Sequence, residues 1–162
     1  MSTNTELDLV VKMTMTAWDA QNNQLNKLFS ELNDEEWLKE IAPGKNRGIY
    51  LLGHLVAVHD HMIEVLGFGE KLFPEYYSVF VKDPDKKNMD LPGIATLKEN
   101  LDTTNATLKN HMQATSSAQW LERHMSVSPE DFAKEPHRNK LNIIISRSSH
   151  LAYHIGQLRL LK

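Results

Sequence analysis

The sequence predicts an all-α protein, a four-helix bundle with a long connection between its second and third long helices. Three observations carry that prediction. Apolar residues recur at three- and four-residue steps in four long stretches, no segment shows the two-residue alternation of a half-buried strand, and a Gly- and Pro-punctuated stretch spans 67–93. Mixed loop lengths and the absence of an internal repeat favour one bundle domain over residues 1–162.

The first long helix is read from Leu7 to Leu32, where Leu7, Val11, Trp18, Leu25, Leu28, Phe29 and Leu32 fall on one face. Gln21 and Asn22 interrupt its middle, and Met13 and Met15 are taken as core formers. Asn33 followed by Glu36 is a variant capping box for a short piece carrying Trp37 and Ile41, which Pro43-Gly44 ends. Asn46 is then placed to cap a second long helix over 47–66.

With His54 as the reference on a helical wheel, Tyr50, Leu51, Ala57, Val58, His61 and Val65 lie within about 60° of it. His54 therefore points into the bundle. His59 falls about 140° away beside Asp60 and is expected to be solvated.

Connections longer than about 12–15 residues generally cover a site or are disordered. Phe73, Tyr76, Tyr77 and Phe80 argue for a packed lid with a short helix over 74–80, leaving 82–90 as its solvated part. The third long helix, Ile94 to about Gln113, carries a seam of Leu97, Leu101, Thr104, Leu108 and Met112. A short helix over 116–122 holds Trp120; Ser128-Pro129-Glu130-Asp131 starts another, which Pro136 stops. The last helix, Ile143 to Lys162, places Ile143, Ser146, His150, His154, Gln157 and Leu161 on one face and Leu151, Ile155 and Leu158 on a second stripe, with a frayed end at Lys162.

Composition narrows the function. A net charge of −3 gives no general attraction to nucleic acid or to an acidic membrane. With no cysteine, thiolate nucleophiles and Cys-type zinc sites are excluded. No stretch approaches the roughly 20 apolar residues of a membrane span, and the start lacks the pattern of a signal peptide, so a cytoplasmic location is the expectation.

The chemistry lies in the histidines. His150 and His154 are one turn apart on a helix, so their ring nitrogens can converge on one ion. A third ligand must come from elsewhere; His54 is the leading candidate, with His61 and His111 as rivals, while His124 and His137 lie in polar irregular segments that favour a surface role. Three neutral imidazoles with an open position suit a divalent transition metal, Zn, Ni, Fe, Co or Cu, without discriminating among them, and do not suit Mg or Ca; Zn or Ni is the leading expectation, with Fe or Co behind. Leu151 stands where a zincin would have its general base, and no nucleophile elbow, phosphate loop or dinucleotide fingerprint is present. The competing reading is that these are ordinary hydrogen-bonded histidines within the bundle.

Gly53-His54-Leu55, the run His150-x-x-Tyr153-His154-Ile155-Gly156-Gln157, and Pro43-Gly44-Lys45-Asn46 before the second long helix resemble the DinB/YfiT-like superfamily. The resemblance implies a four-helix bundle with a metal held by His54, His150 and His154, commonly a homodimer. It also implies two kinds of function: thiol-dependent S-transferases, and proteins of no assigned activity. Two further readings stand beside a metal-dependent small-molecule transferase or hydrolase: a metal-binding stress-related protein without turnover, and a plain helical dimer. In the enzyme reading a low-molecular-weight thiol is the cosubstrate, and His61, Arg147, Tyr153 and Gln157 are the residues placed to orient a ligand histidine or contact substrate.

Overall fold

The computed structural model describes residues 5–87 and 90–162. Four long helices carry the fold: α1 (Thr5–Glu31), α3 (Gly48–Val65), α4 (Ile94–Ala114) and α7 (Lys140–Leu158). Between them lie the short helices α2 (Asp34–Trp37), α5 (Ser117–Trp120) and α6 (Pro129–Lys134), a π turn at Ser78–Lys82 and a final 3-10 turn at Arg159–Leu161. Among the described residues there is no strand, only isolated antiparallel bridges between Glu40 and Arg47 and between Arg123 and Asn139. The long helices pair as α1 with α7 and α3 with α4, and α3 meets α7 over a shorter contact.

The local signals explain the boundaries. Asn33 and Glu36 form the predicted reciprocal capping box, and Ser128 caps α6 with Pro129 at its first turn. Asn46 does not cap α3. That position belongs to Arg47, whose backbone N–H is taken by Asp85 in the connection, while the Asn46 carbonyl accepts from the Ile41 N–H. α7 starts at Lys140, three residues before the expected point, because the Asn139 side chain accepts from the Asn142 N–H. Its end is not frayed: Leu161 is buried and Lys162 pairs with Glu31.

The seam predicted for α4 is buried at all five positions, and Trp18, Leu25, Leu28 and Leu32 form the inner face of the first helix and its exit. Met13 is a correction. It lies 62% exposed on the outer side of α1, although Met15 packs against the core.

α3 is buried on nearly every side, because α2, α4, α7 and the π turn all pack on it. The expectation that His59 is solvated therefore fails. His59 is only 1% exposed, its ring centroid lies 4.8 Å from that of Trp18, and its Nδ1 sits 2.8 Å from the Asn105 Oδ1. Asn105 in turn donates to Asn22, which donates to the Trp18 carbonyl, so the polar break in the first helix has a buried use.

The long connection packs on α3 and is tied to it between Leu72 and Asp85. Asp60 accepts the Leu72 and Phe73 N–H groups at 2.7 and 2.9 Å, the Tyr50 hydroxyl donates to the Asp83 carbonyl, and Arg47 grips Asp85 through its guanidinium at 2.7 Å. Its helical piece runs from Tyr76 into the π turn, two residues beyond the expected end. Of the part expected to be solvated, 82–90, positions 88 and 89 lie outside the described residues. The Asp85 side chain is 4% exposed and so departs from that expectation, because it is paired with Arg47.

His124 is a further correction. It is 7% exposed because the chain after α5 folds back on the end of α3, where the Met125 N–H donates to the Val65 carbonyl. His137 is exposed as expected, and His111 sits at the core edge stacked on Phe68.

Candidate metal centre

α3 and α7 bring His54, His150 and His154 together, with one ring nitrogen from each lying within 4.8 Å of the others. The His54 and His150 Nε2 atoms are 3.2 Å apart, and those of His154 and His150 are 3.1 Å apart. Bonds of about 2.0–2.1 Å to one ion would separate ligand nitrogens by roughly 3.3 Å at tetrahedral angles and roughly 2.9 Å at right angles. The observed spacings fall between those limits.

Each outer nitrogen is set by its own neighbour. The Nδ1 of His54 faces the Phe80 carbonyl at 2.8 Å, and a carbonyl can only accept, so that nitrogen carries the proton and Nε2 keeps its lone pair. Phe80 is in the last turn of the π helix, where carbonyls lack helical donors. Gly53 makes the approach possible: a Cβ there would overlap the Phe80 ring, which is wholly buried. The Nδ1 of His154 faces the Gln157 Oε1 at 2.7 Å, and Gln157 is oriented by donating its own N–H to the Tyr153 hydroxyl.

Proton counting follows. The His54 and His154 Nε2 atoms are acceptors, and neutral His150 has one proton to place. A proton on its Nε2 can serve one of those contacts fully, whereas a proton on Nδ1 serves neither. At least one pair of lone pairs therefore faces each other near 3 Å, an arrangement that a cation relieves. The His150 Nδ1 itself is buried without a hydrogen-bond partner.

Burial holds the cluster neutral. The His150 pKa is pushed down to about 3 by desolvation first, then by the neighbouring His154, His54, Arg147 and His59. That of His154 is pushed down to about 4 by desolvation and His54, against the opposing bond from Gln157. His54 is also lowered by desolvation, partly countered by Phe80. Neutral imidazole is the form that binds metal.

The remaining candidates take other places. His61 stays out of the cluster, its Nδ1 3.2 Å from Glu64 and its ring 4.9 Å from that of Tyr77. His111 is away on Phe68. Gln157 holds His154 directly, and Tyr153 acts through Gln157 while its ring is 64% exposed. Arg147 is half-buried one turn before His150. Among the described residues no fourth His, Asp or Glu joins the group.

Sequence reasoning missed the Phe80 carbonyl and the structural use of Gly53. A glycine inside a helix, directly before an inward histidine, was the available signal for a close neighbour.

No curated protein matches the chain. The family model of the DinB superfamily matches residues 17–158, nearly the whole bundle and all three histidines. The chain belongs to the DinB superfamily.

Proposed function

We propose that this protein binds one divalent transition metal at His54, His150 and His154 and is a metal-dependent enzyme of small molecules, a thiol-dependent S-transferase or a hydrolase. The observation that carries the metal is the convergence of three neutral nitrogens, two of them fixed as acceptors by Phe80 and Gln157. The donor set suits Zn, Ni, Fe, Co or Cu without discriminating among them, and we take Zn or Ni as the leading ions to test. Support for turnover over a purely structural ion comes from the three-ligand count: structural zinc sites are closed by four protein ligands, whereas catalytic sites keep a position open.

Bound there, the ion supplies a Lewis acid that lowers the pKa of water or of a thiol toward neutrality. The chain's own contribution is positional. The Phe80 carbonyl and Gln157 aim two imidazoles, and Tyr153 steadies Gln157. A thiol cosubstrate also suits a chain with no cysteine of its own. We place the protein as a homodimer; the exposed Leu9, Val10 and Met13 of α1 and the exposed Ile145 of α7 are the apolar surface that supports this reading.

Metal analysis of the full-length protein tests the proposal. About one ion per chain is expected, with most of it lost in His150→Ala. Full metal retention by that variant, or no uptake of Zn, Ni or Co by the wild type, overturns the site. Metal-loaded protein screened with electrophiles and several thiols then tests turnover, and sedimentation velocity tests the dimer.

A further inference from the structure

Arg147 is a cation with no carboxylate partner among the described residues: no ion pair includes it, although it is half-buried. Guanidinium groups that leave water without a counter-ion are costly, and burial lowers the pKa of this one. Tyr77 is near enough to interact with it electrostatically.

Its surroundings are cationic as well. The Lys71 and Lys82 ammonium groups lie 5.2 and 5.8 Å from the centre of the Tyr77 ring, and the same ring packs on His61. The acid nearby, Glu64, is engaged by Lys71 at 3.0 Å and by His61 at 3.2 Å. Arg147 and His150, three residues apart on α7, are neighbours on one face of that helix, and the charge of Arg147 is also felt at His54, His59 and His61. Along α7 it precedes His150 by three residues, a rise of about 4.5 Å.

We propose that Arg147 is the carboxylate-binding residue of this centre, so that the small molecule it takes is a carboxylic acid whose metal-binding atom lies a few bonds from the carboxylate. This rests on the metal reading above and adds the charge and approximate reach of the ligand. The planar fork of Arg matches a carboxylate with two parallel N–H···O bonds. Lys71 and Lys82, on the Tyr77 ring, add a positive field that draws an anion toward this side of the cluster.

The test uses the full chain loaded with Co(II) and follows the cobalt–sulfur charge-transfer absorption as thiols are added, the thiol proton passing to buffer as sulfur binds. Three probes of similar size differ in charge: 3-mercaptopropionate, 2-mercaptoethanol and 2-aminoethanethiol. In the wild type the carboxylate should bind at least about tenfold tighter than the neutral thiol, and the cationic one weakest. Arg147→Gln should bind cobalt at the same stoichiometry, keep its affinity for 2-mercaptoethanol, and lose the preference for the carboxylate.

Equal affinity of the wild type for the three probes overturns the assignment, as does a preference that survives in Arg147→Gln. The wild-type order is measured without any variant, so a misfolded Arg147→Gln leaves that comparison to decide. Failure of the wild type to take up cobalt is a separate result, and it overturns the metal reading beneath the proposal.

Discussion

His54 shows how a single side chain has one ring nitrogen left free as an acceptor by two residues that do not touch that nitrogen. Gly53 leaves room for the Phe80 ring, the ring anchors the π turn, and the Phe80 carbonyl accepts a hydrogen bond from the Nδ1–H. Gly53→Ala should therefore do two things. Overpacking against Phe80 should cost about 1–3 kcal/mol of stability, and displacement of the carbonyl should weaken metal binding about 10–100-fold. Thermal unfolding and a competitive metal titration read the two effects, and wild-type metal affinity in Gly53→Ala would break the link between them. The inward direction of His54 was legible from the wheel, since Tyr50, Leu51 and Ala57 share its side. The burial of His59 was not. A wheel assigns solvent to whatever lies opposite the reference face, and α3 has almost no solvent face to assign, with Glu64 its one exposed residue.

The same contrast separates whole elements. α4 has one apolar seam and packs on one side, so its five seam residues could be read from spacing alone. The capping signals of α2 and α6 were equally legible, because they are made within four residues of chain. The connection after α3 is held instead by long-range partners, Arg47 with Asp85, Tyr50 with Asp83, and Asp60 with two backbone amides, and no local pattern encodes such pairs. Asp60 is the sharpest test of that clamp. It is 1% exposed and accepts two N–H bonds, while an asparagine in its place has one acceptor oxygen and turns an amide N–H toward the other donor. Asp60→Asn should cost about 2–3 kcal/mol. Hydrogen exchange at Leu72 and Phe73 should rise with little change at the buried amides of α4. Uniform acceleration across both segments would mean that Asp60 supports the bundle as a whole and not the connection.

At the scale of the molecule, the three histidines join the two halves of the bundle. α1 with α7 and α3 with α4 are the extensive pairings, and the shorter α3–α7 contact is where the cluster lies. An ion bound there ties one pair to the other. Ligand linkage then predicts that metal at a hundredfold excess over its dissociation constant adds about 2.7 kcal/mol. For a chain of this size that is roughly 5–10 °C in melting temperature, and a chelator should remove it. The pH dependence has a definite sign. The histidines of the cluster, and His59 beneath it, have folded pKa values below the ordinary 6.5, with His59 and His154 near 4 and His150 near 3. The unfolded chain therefore binds protons first as pH falls. Stability is intact above about 6.5 and declines as pH drops from there toward 4 and below. Protons compete with the ion only where the folded imidazoles themselves titrate, so the melting gap between metal-loaded and chelated protein should persist from about pH 7.5 to about 5 and close as the pH falls through about 4 toward 3. Unfolding scans of both forms from pH 8 to pH 3, with His150→Ala alongside, measure this directly. A gap that holds constant to pH 3, or that appears equally in His150→Ala, would mean that the ion is stabilising the bundle through groups other than these imidazoles.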